Sequence, residues 1–304
     1  MRTAAVVVDW RKPDETLEAL RSLVAMTPSA DIVICVENGS SDTDVAKIRA
    51  GARGAVNLLE IPDNLGFAGA VNLGVERALQ AGAEWILLLN NDATVAPRCL
   101  ARCLEEATGH PRVAAVGPAI VFADRPNLLW YGGGLMSDWF AFTRHRGLMK
   151  SAESPPPTGE TEFVTGCCML LSADAWRAVG PFRADFFAYY EDAEWCQRAR
   201  SAGWTCRYVG EVLCDHAVGV SSALRDSLGL SENTAYYKAR NPLRAALESK
   251  PWLRRATRVL GLLTVWNAYH AFRLVQTRRR SVTVAYWTGM VDAFRGRMGK
   301  FIAS

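Results

Sequence analysis

Leu87-Leu88-Leu89-Asn90-Asn91-Asp92-Ala93-Thr94-Val95 is the stretch on which the fold turns. An apolar run, Ile86 to Leu89, stops at three small polar residues, and the chain resumes with Val95 and Pro97. A short apolar run bounded by polar residues reads as an interior strand of a parallel sheet. In open α/β sheets the carboxyl ends of such strands are where ligands bind. Two readings of Asn90-Asn91-Asp92 stand at this point. It is an Asx turn closing an ordinary strand, or its oxygens serve a hard cation.

Working outward, the preceding residues alternate strand and helix. Ala4 to Val8 is an apolar strand ending at Asp9, and Pro13-Asp14-Glu15 opens a helix with Leu17, Leu20, Leu23 and Val24 on one face. Ile32 to Val36 stops at Glu37-Asn38-Gly39-Ser40-Ser41-Asp42, a turn followed by a helix cap on Ser41 or Asp42. Val56 to Ile61 is a third strand, Pro62 to Gly66 a polar loop, and Phe67 to Ala81 a helix with Ala70, Leu73, Val75 and Leu79 on its apolar face. Such alternation with short links predicts a Rossmann-like, doubly wound, mainly parallel sheet. Its loops bring Asp9, Glu37, Asp63 or Asn64, and Asp92 to one edge.

Downstream, a helix to about Thr108 precedes strands at Val113 to Val116 and Ile120 to Phe122. Residues 124–161 read as a less regular segment, aromatic and glycine-rich, of the kind that is functional or mobile. Phe163 to Leu171 resumes a strand pattern, Ala173 to Val179 is helical, and Gly203 ends a helix that opens at Glu191.

The chain has 304 residues, half of them hydrophobic and 22% charged, an ordinary globular balance with room for a sizeable core. None of the eight cysteines forms a Cys-x-x-Cys pair and several lie in apolar runs, so buried free thiols are expected rather than a disulfide scaffold or a zinc site. No apolar run reaches the ~20 residues of a transmembrane helix, and the apolar run before Asp9 is too short for a signal peptide. A cytoplasmic protein is therefore expected. The net charge of +4 is uneven. Pro251 to Ser304 holds ten Lys or Arg against one acid, Asp292, so it carries +9 and the remainder −5.

Three further features carry chemistry. Glu191, Asp192 and Glu194 open a helix, where acids complement the helix dipole. The same backbone field favours an ionised carboxylate, which a general base requires. Asp192 is the first candidate base and Glu191 the second, and the aromatic run Phe186 to Tyr190 is suited to wall a sugar ring. His216 closes an apolar stretch, either as a structural histidine or as a partner of Asp92 in a cation site. Gly66 to Gly74 offers glycine-rich backbone at a helix start, suited to a diphosphate. Gly219 to Gly229 reads as a mobile lid.

In this order the pieces resemble the inverting glycosyltransferases of family 2, especially rhamnosyltransferase-like members that build bacterial surface polysaccharides. The matching residues are Val36 to Asp42, Asn64 to Gly69, Leu89 to Asp92, Gly166 within Phe163 to Gly166, Gly180-Pro181-Phe182, Phe187 to Glu194, Arg198, Gly203-Trp204 and His216. The resemblance runs from about Ala4 to Asn241 and implies the A-type glycosyltransferase fold. It implies that Glu37 contacts the donor base, with Asp9 lining the same pocket. Asn64, Gly66, Asn90 and Asn91 fall in the donor-binding loops. Asp92 and His216 match metal contacts for Mg²⁺ or Mn²⁺, and Asp192 matches the catalytic base. Two departures stand out. The metal motif is Asn-Asn-Asp where the family often carries two or three acids, and the Gln-x-x-Arg-Trp signature of processive members is absent, since Gln197-Arg198 leads to Ala199.

The expected organisation is a catalytic domain over residues 1–230 and a basic, helical extension over 231–304. The expected partners are a nucleotide-diphosphate sugar, rhamnose first, and a glycolipid or glycan acceptor. The extension reads either as a packed helical hairpin with a solvated basic face or as a segment on an anionic inner membrane leaflet. No nucleic-acid-binding motif accompanies its charge, and no feature specifies an oligomeric state. A nucleotidyltransferase is disfavoured because Trp10-Arg11-Lys12 follows the first strand without a glycine. A catalytically silent glycan-binding scaffold of the same fold is the alternative outside enzymes.

Overall fold

The computed structural model describes residues 1–52, 54, 56–137, 143–217, 231–268 and 279–302. The lid expected at Gly219 to Gly229 lies outside the described residues. The first half alternates as expected: β1 (Thr3–Asp9), α1 (Pro13–Val24), β2 (Ile32–Asn38), α2 (Asp42–Gly51), β3 (Val56–Ile61), α3 (Gly66–Gln80), β4 (Trp85–Asn90) and β5 (Ala93–Val95). Then follow α4 (Cys99–Thr108), β6 (Val113–Phe122), β7 (Arg125–Tyr131), β8 (Gly134–Met136), β9 (Thr143–His145), β10 (Gly159–Thr161), β11 (Cys168–Ser172), α5 (Ala173–Val179), α6 (Glu191–Ser201) and β12 (Thr205–His216).

The main sheet has the order β10-β12-β6-β11-β4-β1-β2-β3, with β5 joined to β12 and β7 to β6. Strands β1 to β4 are mutually parallel where they pair, and β12 runs parallel to β6. β11 lies antiparallel between β4 and β6. The α/β, mainly parallel fold class is thus borne out, with β11 inverted beside the central β4 and with β5, β7 and β10 antiparallel to their partners. β4 is paired on both edges, and Ile86 to Leu89 are at most 2% exposed, which is why that run is uninterrupted by polar residues.

Helix packing differs from the simplest periodic reading in two places. α3 turns its small residues, Ala70, Gly74 and Ala78 among them, to the sheet, while Leu73 faces outward. The sheet dictates this, because a Cβ on Gly74 would stand 2.4 Å from Val6 Cγ1. On α1 the expected face is buried at Leu17, Leu20 and Leu23, whereas Val24 at the helix end is exposed. The cap of α2 is Ser41, whose hydroxyl accepts from Asp44 N.

Two expectations downstream are corrected. Val113 to Val116 and Ile120 to Phe122 form one ten-residue strand, β6, with Pro118 inside it. The neighbouring β12 shifts register between Val209 and Val212, beside Pro118, which accommodates the missing donor. The described residues of 124–161 are more regular than their composition suggests: β7 extends the sheet, and β8 pairs antiparallel with β9 apart from it. All eight cysteines are buried and free.

The C-terminal helices are α7 (Glu232–Leu247), α8 (Trp252–Gly261, followed by a π-helical turn Leu262–Trp266) and α9 (Arg280–Arg295). Ala235, Ala239 and Leu243 of α7 and Val282, Tyr286 and Met290 of α9 share a small core of their own. No helix among the described residues is long and apolar enough to cross a membrane.

Candidate active site

The carboxyl ends of β1, β2 and β4 are aligned by register. Asp9 lies opposite Glu37, and Val8 opposite Asn90. Asp9 is fully buried and accepts from the Thr16 hydroxyl and from Ser40 Oγ at 3.2 Å. Burial pushes its carboxyl above the usual range, and the nearby Glu37 charge adds to that. Ser40 N donates to Glu37 Oε1 at 2.6 Å, and Asn91 Nδ2 donates to Thr16 Oγ1 at 3.2 Å. Thr16 and Ser40 therefore tie Asp9, Glu37 and Asn91 into one web.

A second web holds the loop before α3. Asn38 Nδ2 donates to Asn64 Oδ1 and to the Gly66 carbonyl, both at 3.2 Å, and Asn38 Oδ1 accepts from Leu65 N at 2.9 Å. Gly66 N donates to Asn64 Oδ1 at 2.8 Å. Gly66 has φ +76°, and a Cβ there would fall 2.4 Å from the Phe187 carbonyl oxygen. The position is glycine because the turn ahead of α6 presses on it. Asn38, named in the sequence only as part of a turn, is the residue that organises this loop.

Asp92 Oδ1 and His216 Nε2 are 3.1 Å apart. The pairing of β5 with β12 brings them together, with His216 opposite Ala93, and Ala217 N donates to the Asp92 carbonyl at 2.8 Å. His216 is buried with the Trp130 ring edge-on at 4.3 Å between centroids, while the Asp92 side chain is partly open. Among the described residues no group of three or more His, Cys, Asp or Glu is placed to hold a metal ion.

Asp192 lies in the first turn of α6, half-buried. Its Oδ2 accepts from Gly166 N at 2.8 Å and its Oδ1 from Ala193 N at 2.7 Å. Burial raises its pKa, and these N–H groups oppose the rise by favouring the ionised form. Glu191 is buried, and its Oε2 has no hydrogen-bond partner among the described residues. Burial first, and the Asp192 charge second, raise the pKa of Glu191.

The turn before these acids is strained. Phe187, Tyr189 and Tyr190 have φ of 67°, 68° and 79°. Left-handed backbone at a non-glycine residue costs on the order of 1–3 kcal/mol, and such residues cluster at functional sites. No glycine in the run Phe186 to Tyr190 announces this.

Short links join these groups. Gly166, which binds Asp192, is followed by Cys167, whose carbonyl accepts from Asn90 N at 2.9 Å. Phe187, against Gly66, accepts from Ala68 N at 3.2 Å. The strand-end acids, the Asn64–Gly66 loop, the Asp92–His216 pair and Asp192 thus stand on chain segments linked by hydrogen bonds.

A stability prediction follows from Glu191. Because burial raises its folded-state pKa, the folded protein binds the proton more tightly than the unfolded chain does. That contribution is present below the ordinary value near 4.5 and is lost as pH rises toward the folded value. Glu191→Gln carries no such loss. Its stability relative to the parent should therefore grow between pH 4 and neutrality, by at least about 1 kcal/mol. Urea titrations at several pH values check this, and a flat difference contradicts it.

Comparison with known proteins agrees with this architecture. The model of the glycosyltransferase-like family 2 matches residues 2–234. The N-acetylglucosaminyl-diphospho-decaprenol L-rhamnosyltransferase of Mycobacterium tuberculosis is 30% identical over 232 residues, 67% of this chain and 72% of that one. Galactofuranosyltransferase GlfT1 of the same species is 34% identical over 179 residues, 57% of this chain, and the match spans only 55% of that protein's length. Among solved structures, a mannosyltransferase of Pyrobaculum calidifontis in complex with GDP-Man and Mn²⁺ aligns with TM-score 0.58 at 15% identity, covering 97% of this chain and 86% of that one. Staphylococcus aureus TarS residues 1–349, in complex with UDP-GlcNAc, aligns with TM-score 0.59 at 12% identity, covering 98% and 82%. The shared fold is that of A-type glycosyltransferases, and the chain belongs to the glycosyltransferase-like family 2.

Proposed function

We propose that the protein transfers one sugar, rhamnose first, from a nucleotide-diphosphate donor to a glycolipid or glycan acceptor with inversion, in cell-surface polysaccharide assembly. The observation that carries this reading is the carboxylate of Asp192, held by Gly166 N–H next to Cys167, whose carbonyl accepts from Asn90 N at the Asp92 motif. In the proposed reaction the acceptor hydroxyl oxygen bonds to the anomeric carbon as its proton passes to Asp192. The bond from that carbon to the diphosphate breaks on the opposite face, and the electron pair leaves with the diphosphate. One base suffices because the departing diphosphate needs no proton. Glu37, beside the strand ends, is assigned to the donor base, Asp9 lines the same pocket, and Asn64, Gly66, Asn90 and Asn91 shape the donor loops.

The donor set fits a divalent cation of the Mg²⁺ or Mn²⁺ kind in a reduced form. Such ions are commonly held by one or two carboxylates plus substrate phosphates and water, and Asp92 with His216 offers one carboxylate and one imidazole. A bound ion would offset the charge of the leaving diphosphate.

The test is a donor and acceptor screen with Mn²⁺ or Mg²⁺. dTDP-rhamnose and a nucleotide-linked galactofuranose serve as donors, and N-acetylglucosaminyl-diphospho-decaprenol, suggested by the mycobacterial relative, as acceptor. Turnover with inverted product supports the reading. Nucleotide binding without turnover across the panel favours the silent scaffold.

We also assign the C-terminal helices to an anionic membrane surface, where a lipid-linked acceptor resides. The support is an exposed apolar stripe on α9, Val284, Trp287, Val291 and Phe294, at helical spacing. Trp252, Leu260 and Leu263 are likewise exposed, with Arg255, Arg279 and Arg280 nearby in sequence. The opposite face of α9 packs on α7, so changes on the stripe leave that core intact. Trp287→Asp with Val291→Asp should lower pelleting with phosphatidylglycerol-containing vesicles by roughly tenfold. Unchanged pelleting removes the assignment.

A further inference from the structure

Arg240 and Asn241 of α7 are fully buried, far in sequence from the strand ends, and nothing in the proposed chemistry uses them. The Asn241 amide and one guanidinium nitrogen of Arg240 turn toward the strained turn before α6. Asn241 Nδ2 donates to the carbonyls of Phe186 at 3.1 Å, Ala188 at 2.9 Å and Tyr189 at 2.7 Å. Arg240 Nη2 donates to the Phe186 carbonyl at 2.8 Å and the Asp185 carbonyl at 3.3 Å. Arg240 Nε donates to Asn241 Oδ1 at 2.9 Å, which fixes the amide so that its NH₂ group faces the turn. Arg240 is itself anchored through Nη1 to the Gly299 carbonyl at 2.7 Å, with its guanidinium over the Tyr236 and Tyr237 rings.

The turn they grip holds the three left-handed residues Phe187, Tyr189 and Tyr190. A short chain relaxes such backbone unless its surroundings over-determine it. Carbonyls that point inward at one amide are the constraint visible here, because burying them without donors would be unfavourable. The outer side of the same turn is fixed too. Phe187 accepts from Ala68 N, and its ring stacks on Tyr237 at 5.5 Å. The turn is therefore clamped between α7 and the start of α3, and Glu191 and Asp192 follow it directly.

We infer that Arg240 and Asn241 are positioning residues for transfer: they hold the Phe186–Tyr190 turn in its left-handed form and thereby aim Asp192 at the acceptor hydroxyl. This inference rests on the assignment of Asp192 as the base. It also makes the first C-terminal helix part of the catalytic apparatus, so that sequence beyond the main sheet controls the geometry of the base.

The experiment compares Asn241→Ala, Asn241→Gln, Asn241→Ala with Tyr190→Gly, and Asp192→Asn. All are made in the full chain and assayed with dTDP-rhamnose, Mn²⁺ and N-acetylglucosaminyl-diphospho-decaprenol, with dTDP binding measured by calorimetry. Asn241→Ala should lower kcat about 100-fold, the scale of a slightly misplaced catalytic group, with KM for the donor and dTDP affinity within about twofold of the parent. Tyr190→Gly in the Asn241→Ala background should recover part of that kcat, because glycine adopts left-handed backbone without the clamp. A merely structural role moves stability and would not be rescued by a glycine in the turn. Asn241→Gln keeps the amide on a longer stem and should retain more kcat than Asn241→Ala, so it serves as the comparison if Asn241→Ala does not fold. If Asp192→Asn abolishes turnover while folded Asn241 variants keep the parental kcat, the positioning role is wrong and the base assignment stands. If Asp192→Asn turns over normally, the base assignment has failed and the positioning role falls with it.

Discussion

Asp192→Asn should lower kcat by about 10³-fold or more, the upper part of the range for a lost general base, while nucleotide binding persists. The side chains are nearly isosteric, so the variant tests proton acceptance rather than packing. In the parent the carboxylate receives two N–H donors, from Gly166 and Ala193. An asparagine has one acceptor oxygen, so one of those donors loses its partner, at a cost of about 1–3 kcal/mol when buried. That loss affects stability and leaves the Glu37 and Asn64 side of the site untouched. The pH dependence separates the two effects. Because burial raises the Asp192 pKa, kcat/KM of the parent should climb with pH along an acid limb that lies above the ordinary aspartate range near 3.8. Below that limb the base is protonated and idle; above it the base is ionised. Whatever residual rate Asp192→Asn retains should lack the limb. A variant that turns over within tenfold of the parent, or that keeps the limb, would remove Asp192 from the role.

Much of this site is legible in the amino-acid sequence, and what escapes does so for physical reasons. β4 and the strands around it are declared by uninterrupted apolar runs, because a strand buried on both faces has no polar positions. The convergence of Asp9, Glu37 and the Asn90–Asp92 motif follows from parallel pairing, which carries every strand end to one edge. The order of Phe187 to Glu194 and His216 after them yields the family resemblance. Long-range pairing is not legible in the same way. β5 reaches Asp92 to His216 by pairing antiparallel with β12, across 124 positions of chain, and no local periodicity announces such a partner. β6 reads as two strands because Pro118 interrupts the pattern, and only the register shift in β12 shows why one strand tolerates it. Asn38, Arg240 and Asn241 escape for another reason. A buried polar side chain that satisfies backbone carbonyls or loop amides resembles a surface residue in the sequence, since its partners are main-chain atoms of a distant turn. The strained residues Phe187, Tyr189 and Tyr190 are hidden likewise, because aromatic residues carry no mark of left-handed backbone.

Asp92→Ala should have the second largest effect, lowering kcat/KM by on the order of 10²–10³-fold, comparable to removing one preorganised group that stabilises developing charge. It should do so together with the metal response. In the parent, chelation of divalent ions with EDTA should suppress turnover and Mn²⁺ should restore it; in Asp92→Ala, added Mn²⁺ should restore little. Asn90 and Asn91 can offer carbonyl oxygens but no net charge, so Asp92 is the only carboxylate of its motif. His216 places its imidazole Nε2 3.1 Å from the Asp92 carboxylate and would be the second ligand. Metal-binding histidines normally donate their other ring nitrogen to a fixed partner, which sets the tautomer. Here Nδ1 of His216 is buried without a hydrogen-bond partner among the described residues, with the Trp130 ring edge-on instead. If a metal is held there, one carboxylate and one imidazole without polar support among the described residues would make an open, low-affinity site, to be completed by phosphate oxygens of the donor. Three consequences can be measured together. Dialysis alone should remove the ion. Asn91→Asp, which adds a charge beside Asp92, should lower the Mn²⁺ concentration needed for half-maximal turnover. His216→Ala should cost less than Asp92→Ala, because it leaves the motif's carboxylate in place. An enzyme whose turnover is indifferent to EDTA, or an Asp92→Ala variant that keeps both its rate and its response to Mn²⁺, would show that the diphosphate leaves without a metal held at Asp92. The charge of the leaving group would then have to be offset by other groups on the chain.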